Sequence, residues 1–166
     1  DNAISPPLKL GVVDIKKKMW FHTLVYGGQC LSRKHIDAVF YYLRKKVKYD
    51  DGITMRVTST DSQFDLNLQS LYKLYVKKDY DTSVVNMEHV VAEYMSGYKM
   101  HCNTCWLNVD HVLIPIYMEE EKHWVLGHLS LRDRCMYIIH YIVKILMKEL
   151  RKHWNRFVYC CHIFSP

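Results

Sequence analysis

The chain has 166 residues, 49% hydrophobic and 24% charged, which gives room for one domain with a core and too little for two. Thirteen tyrosines against six glycines and four prolines argue against disorder beyond the first dozen residues. The formal charge of +6 is gathered in Lys16-Lys17-Lys18, in Arg44-Lys45-Lys46 with Lys48, and in residues 144–156; such runs suit an acidic partner, nucleic acid or protein, or are solvated helix faces.

The first residues, DNAISPPLKLGVVDIKKKMWF, lack the basic start, apolar stretch and cleavage site of a secretory signal. The longest apolar run, Ile138 to Met147, is broken by His140 and Lys144 and is far short of the roughly 20 residues of a membrane span. An intracellular protein without membrane contact is expected, with its six cysteines reduced rather than paired.

Ser32 suits the N-cap of a helix carrying Ile36, Val39, Phe40, Leu43 and Val47, stopped by Asp51-Gly52. ITMRVTST reads as a short β-like run, and Asp61 then opens a second helix with Phe64, Leu68, Leu71, Tyr72 and Tyr75 on one face. A third helix carries Val84, Met87, Val91, Tyr94 and Met95 and ends at Ser96-Gly97. Beyond Cys105 the pattern turns β-rich: Val109 to Tyr117, His123 to Leu131 and Cys135 to Tyr141 read as a meander separated by MEEEK and RDR. Pro115 cannot donate a ladder hydrogen bond, so the first of these strands is expected to be an edge or to bulge there. Helical spacing returns with Ile142, Ile145, Leu146, Leu150, Trp154 and Phe157. The order predicts an α+β domain.

The segments WFHTLVYGGQCLSRKHIDAVFYYLRKK, VTSTDSQF and CWLNVDHVLIPIYMEEEKHWVL occur in that order. Together they resemble the plant, transposon-associated branch of the ubiquitin-like-protein-specific (SUMO) cysteine proteases. The resemblance implies the papain-like cysteine protease superfold of the adenain and SUMO protease type, helices packed on a small sheet, with the C-terminal part missing or replaced. It divides the chain into an N-terminal extension over 1–18, a partial protease domain over 19–142, and a divergent C-terminal helix and tail over 143–166. It also implies hydrolysis of peptide or isopeptide bonds after Gly-Gly, a ubiquitin-like partner or its conjugates, a nuclear rather than cytoplasmic setting, and no cofactor.

That chemistry needs a thiolate, a histidine that takes its proton, a carboxylate that orients the imidazole, and an amide donor for the oxyanion. By resemblance His123 stands at the catalytic histidine and Trp124 at the indole that roofs a glycine-wide tunnel. Three other positions depart from the family. His140 falls where an aspartate belongs, Cys30 stands at the position of a second clamping tryptophan, and no glutamine follows His123. Cys161, six residues after Asn155, is the weak echo of the family's nucleophile, with Asn155 as a weak oxyanion donor. Such a chain is expected to be weakly active or inactive.

Two alternatives stay open: a non-catalytic module that holds an acidic ubiquitin-like protein, and a basic domain that associates with nucleic acid. Cys102 and Cys105, flanked by His101 and His111, form half of a zinc spacing that Cys160, Cys161 and His162 would have to complete; no metal is expected.

Overall fold

In a computed structural model, residues 2–26, 28–84, 88–133 and 135–139 are described. An antiparallel hairpin of β1 (Ala3–Leu10) and β2 (Val13–Lys17) comes first, followed by helix α1 (Met19–Val25) and the long helix α2 (Arg33–Tyr49). Strand β3 (Val57–Ser59) leads into α3 (Phe64–Lys77), and α4 (Val90–Ser96) precedes β4 (His111–Met118), β5 (His123–Ser130) and β6 (Cys135–Ile139). The second sheet has the order β3-β4-β5-β6, with β3 parallel to β4 and the other pairs antiparallel.

The hairpin lies where the sequence suggested an unstructured start. Its two-residue connection begins with Gly11 at φ +62°, a glycine-first turn that suits the twist of a hairpin. A side chain there would overlap the ring of Tyr41 on α2. Ile15 of β2 is 2% exposed and fastens the hairpin to the domain.

Ser32 caps α2 as its residue type suggests, but its partner is a histidine. The Ser32 N–H donates to His35 Nδ1 at 3.0 Å, so the ring's proton sits on Nε2, which donates to the Trp20 carbonyl at 3.0 Å. Trp20 stacks on the same imidazole at 4.6 Å, which ties α1 to the first turn of α2. The buried face of α2 differs from the expected one. Val39 and Leu43 are exposed, whereas Ile36, Ala38 and Arg44 are buried.

Asp61 opens α3 by accepting the backbone N–H groups of Gln63 and Phe64, and the same oxygen accepts the Tyr94 hydroxyl at 2.7 Å. Burial first, and then this bond, hold the Tyr94 phenol above its ordinary pKa. The third helix begins later than expected, at Val90, and ends as expected at Gly97, whose φ of +89° places it against the backbone of Cys105.

The residue alternation of β4 and β5 places Val112, Ile114, Ile116, Met118, Val125 and Leu129 on one face, packed with Phe64, Leu68, Leu71 and Tyr94 into the core. The opposite face carries Leu113, Tyr117, Trp124 and His128, and α2 reaches it at the β3 side, where Arg44 donates to Ser59 Oγ. β4 lies between β3 and β5, so the edge expected at Pro115 holds only locally. The pairing with β3 stops at Leu113, two residues before the proline, and Pro115 has a β5 partner alone. The helix expected from Ile142 onward lies outside the described residues. No helix among the described residues is long and apolar enough to cross a membrane.

Candidate active site

The loop before α2 and the β4–β5 turn meet through two hydrogen bonds. The Trp124 indole N–H donates to the Leu31 carbonyl at 2.7 Å, and the Cys30 thiol donates to the Lys122 carbonyl at 3.1 Å. Both bonds join residues more than ninety positions apart and fix the start of β5 beside the first turn of α2. His123 lies on the exposed end of that strand, between Lys122 and Trp124.

Register completes the wall. Tyr117 of β4 pairs with Trp124 of β5, and their ring centroids lie 4.9 Å apart. The Arg33 guanidinium, on the first residue of α2, sits 5.9 Å from the Tyr117 ring and 5.7 Å from the Trp124 ring, within cation–π range of both. One arm of Arg33 is fixed by donation to the Ser62 carbonyl at 2.9 Å. Desolvation, and then the neighbouring Cys30 thiol, raise the Tyr117 phenol above its ordinary pKa. A ring pair, a cation and a thiol thus share one site, with His123 next to Trp124 in sequence at the strand end, and peptide backbone can lie along the aromatic wall.

Of the residues singled out from the sequence, Cys30 and Trp124 are brought together here on either side of Leu31, with His123 adjoining. His140, Asn155 and Cys161 lie outside the described residues. Arg33, Tyr117 and the Leu31 carbonyl were missed. Tyr117 was within reach of strand arithmetic, since a turn centred on residues 119–122 sets it opposite Trp124. Arg33 was not, because its side chain lies against rings contributed by another part of the chain.

The basic run of α2 provides fewer exposed cations than its sequence suggests. Arg44 is buried, and Lys48 Nζ donates to the Asn103 carbonyl at 3.0 Å. Among the described residues no group of three or more histidine, cysteine, aspartate or glutamate side chains gathers to hold a metal ion. His111 instead meets His128, with Nδ1 and Nε2 3.0 Å apart on the outer face of the sheet.

That pair carries a pH consequence. Desolvation, then the adjacent His111, lower the pKa of His128, and desolvation lowers that of His89 against the pull of Glu93. The folded protein therefore binds fewer protons than the unfolded chain just below the ordinary histidine value of about 6.5. Stability from this source is fully present above that pH and falls as pH drops toward the depressed folded values. Urea midpoints are expected to decline from pH 7.5 to 5.5, and His128→Gln to flatten the decline; an unchanged slope in the variant would assign it elsewhere.

Helices on a mixed sheet, with an aromatic and histidine-bearing strand end facing a helix N-terminus, make an α+β fold of the papain-like cysteine protease kind. Residues 29–159, well over half of the chain, match the family model described as Ulp1 protease family, C-terminal catalytic domain, and the chain belongs to that family. By family it is a cysteine-type protease domain of the kind that acts on ubiquitin-like proteins such as SUMO. No curated protein and no solved structure gave a match.

Proposed function

We propose that the surface formed where the Cys30–Arg33 segment meets the start of β5 receives the extended C-terminal tail of a ubiquitin-like protein, with its Gly-Gly lying along Trp124 and its terminal carbonyl directed to His123. The observation that carries this reading is the indole bond to the Leu31 carbonyl, which holds an aromatic roof in place beside the strand end. Family membership supplies the partner class. An indole roof held at one height suits a tail without side chains, hence the two glycines.

In this reading His123 is the general base for a cysteine nucleophile, and His140, at the family's aspartate position, brings no negative charge to support the imidazolium. Cys30 stands where the resemblance places a second indole, so one side of the roof is thin. The chain is therefore a tail-binding domain with little or no hydrolytic power. The family match ends at residue 159, short of Cys160 and Cys161, which fits a nucleophile segment that has diverged.

The test is titration of the whole chain with a SUMO-type protein carrying its mature tail, and with the same protein lacking the final Gly-Gly. The intact tail should bind, with affinity falling about tenfold or more on removal of Gly-Gly or in Trp124→Ala, the range expected for an interface anchor. Binding that ignores both changes would refute the tail reading. Binding to any nucleic acid with a steep salt dependence, and none to the protein, would favour the nucleic-acid alternative.

A further inference from the structure

The Arg33 guanidinium is held against the Tyr117 and Trp124 rings, and among the described residues it forms no ion pair. Its Nη1 donates to the Ser62 carbonyl, and its plane lies near both the Tyr117 and Trp124 rings. The ion pairs Arg56–Asp110 and Lys99–Glu93 lie elsewhere and do not involve Arg33. Asp37, one helical turn along α2, directs Oδ1 to the Ser62 N–H at 2.8 Å instead. The nearest acidic run, Glu119–Glu121, is on the exposed β4–β5 turn, and Glu119 is felt at Tyr117.

A guanidinium has five donors in a fixed fork, and a carboxylate meets two of them at once. Here one nitrogen anchors the group while the aromatic pair lies beside it. The others are available to a partner entering beside Trp124. Stacking on rings and fixing by a backbone carbonyl reduce the rotamer entropy that an exposed ion pair normally loses, and that loss is what makes most surface pairs weak.

We infer that Arg33 is a specificity-determining residue that binds an acidic side chain of the partner's tail, in the few residues immediately before the Gly-Gly. The inference rests on the tail reading above and adds the charge that the tail must carry. Lys34, next to Arg33 in the chain, and Lys122, whose carbonyl accepts the Cys30 thiol, are exposed cations that add positive charge to this region, whereas Glu119–Glu121 would repel an acid placed further toward the turn. A lysine at the same tail position is therefore disfavoured.

The experiment uses the full chain and fluorescein-labelled ten-residue peptides ending in Gly-Gly. Each bears one glutamate at the second, third or fourth position before the glycines, and is matched by glutamine and lysine versions. At one position the glutamate peptide should bind about five- to tenfold more tightly than its glutamine twin in low salt, and the gap should shrink as salt rises. Arg33→Gln should close the gap, Arg33→Lys should keep part of it, and Arg33→Glu should turn the preference toward the lysine peptide.

The glutamate and glutamine comparison is made on the unaltered protein, so it stands even if a variant folds poorly. Equal binding of both peptides at every position, with Gly-Gly still required, would overturn the role of Arg33 and leave the tail site standing. Loss of any dependence on Gly-Gly would overturn the tail site and this inference with it.

Discussion

Arg44→Ala is expected to cost about 2–5 kcal/mol, the range for truncating a large buried side chain, and a large share of the roughly 5–15 kcal/mol that keeps a domain folded. Arg44 is 3% exposed and donates to Ser59 Oγ at 3.0 Å, to the Thr60 carbonyl at 3.2 Å and to the His101 carbonyl at 3.3 Å. These acceptors belong to β3, the loop after it and the loop before β4, so one side chain joins three segments to α2. Desolvation lowers its pKa, while Asp61 first, then Cys102 and Asp37, act in the opposite direction without a direct ion pair. Truncation would remove the donor from Ser59 Oγ and from the Thr60 and His101 carbonyls, the first two in buried residues, and leave a void the size of the side chain. Arg44→Met fills most of the void and should recover part of the loss, although the acceptors stay unpaired. Urea midpoints with unchanged m-values would measure both variants; an Arg44→Ala midpoint equal to that of the parent would show that the network carries no stability.

The same residue shows where the sequence stopped being informative. The helix, its cap and its end were legible because Ser32, the apolar spacing and Asp51-Gly52 act locally. Its buried face was not, because the spacing rule ranks Val39 and Leu43 above an arginine. The row Ile36, Phe40, Arg44 faces inward because β3 presents carbonyl and hydroxyl acceptors there, and periodicity carries no record of a partner strand's polar groups. The β4–β5–β6 meander was legible for the opposite reason, since alternation and two charged turns specify an antiparallel arrangement without distant help. The β1–β2 hairpin was missed because Pro6 and Pro7 argue against a strand, and its docking depends on Ile15 and on Gly11 fitting against Tyr41. The site was half legible. Trp124 and Cys30 were named by motif order, whereas Arg33 and Tyr117 become part of it only through cross-strand register and the packing of α2.

The chain as it stands should turn over a Gly-Gly-linked ubiquitin-like substrate about 10⁴-fold more slowly than a domain with an intact triad, judging from loss of the carboxylate in the comparable serine triad. That factor corresponds to about 5 kcal/mol at 1.36 kcal/mol per decade. In the proposed reading His140 stands at the carboxylate's position, and an imidazole there brings no fixed negative charge to an imidazolium on His123. Under the proposed reading Asn155 takes the oxyanion donor's position with a side chain one methylene shorter than the family's glutamine. Losses within one catalytic unit do not add, so repairing a single member restores only part of the rate. The measurement is covalent labelling by a ubiquitin-like protein bearing a C-terminal electrophile, on the parent chain and on Cys161→Ala, Cys30→Ala, His123→Ala and His140→Asp. Cys30 is an exposed thiol beside Trp124 and can capture the electrophile by proximity alone, so slow labelling lost in Cys30→Ala and kept in His123→Ala would mark a tail bound without catalysis. Fast labelling abolished by both Cys161→Ala and His123→Ala would instead make Cys161 a working nucleophile and overturn the degenerate reading. Under the degenerate reading His140→Asp raises the rate only in a chain that retains Cys161, because a carboxylate can orient His123 but cannot supply the sulfur.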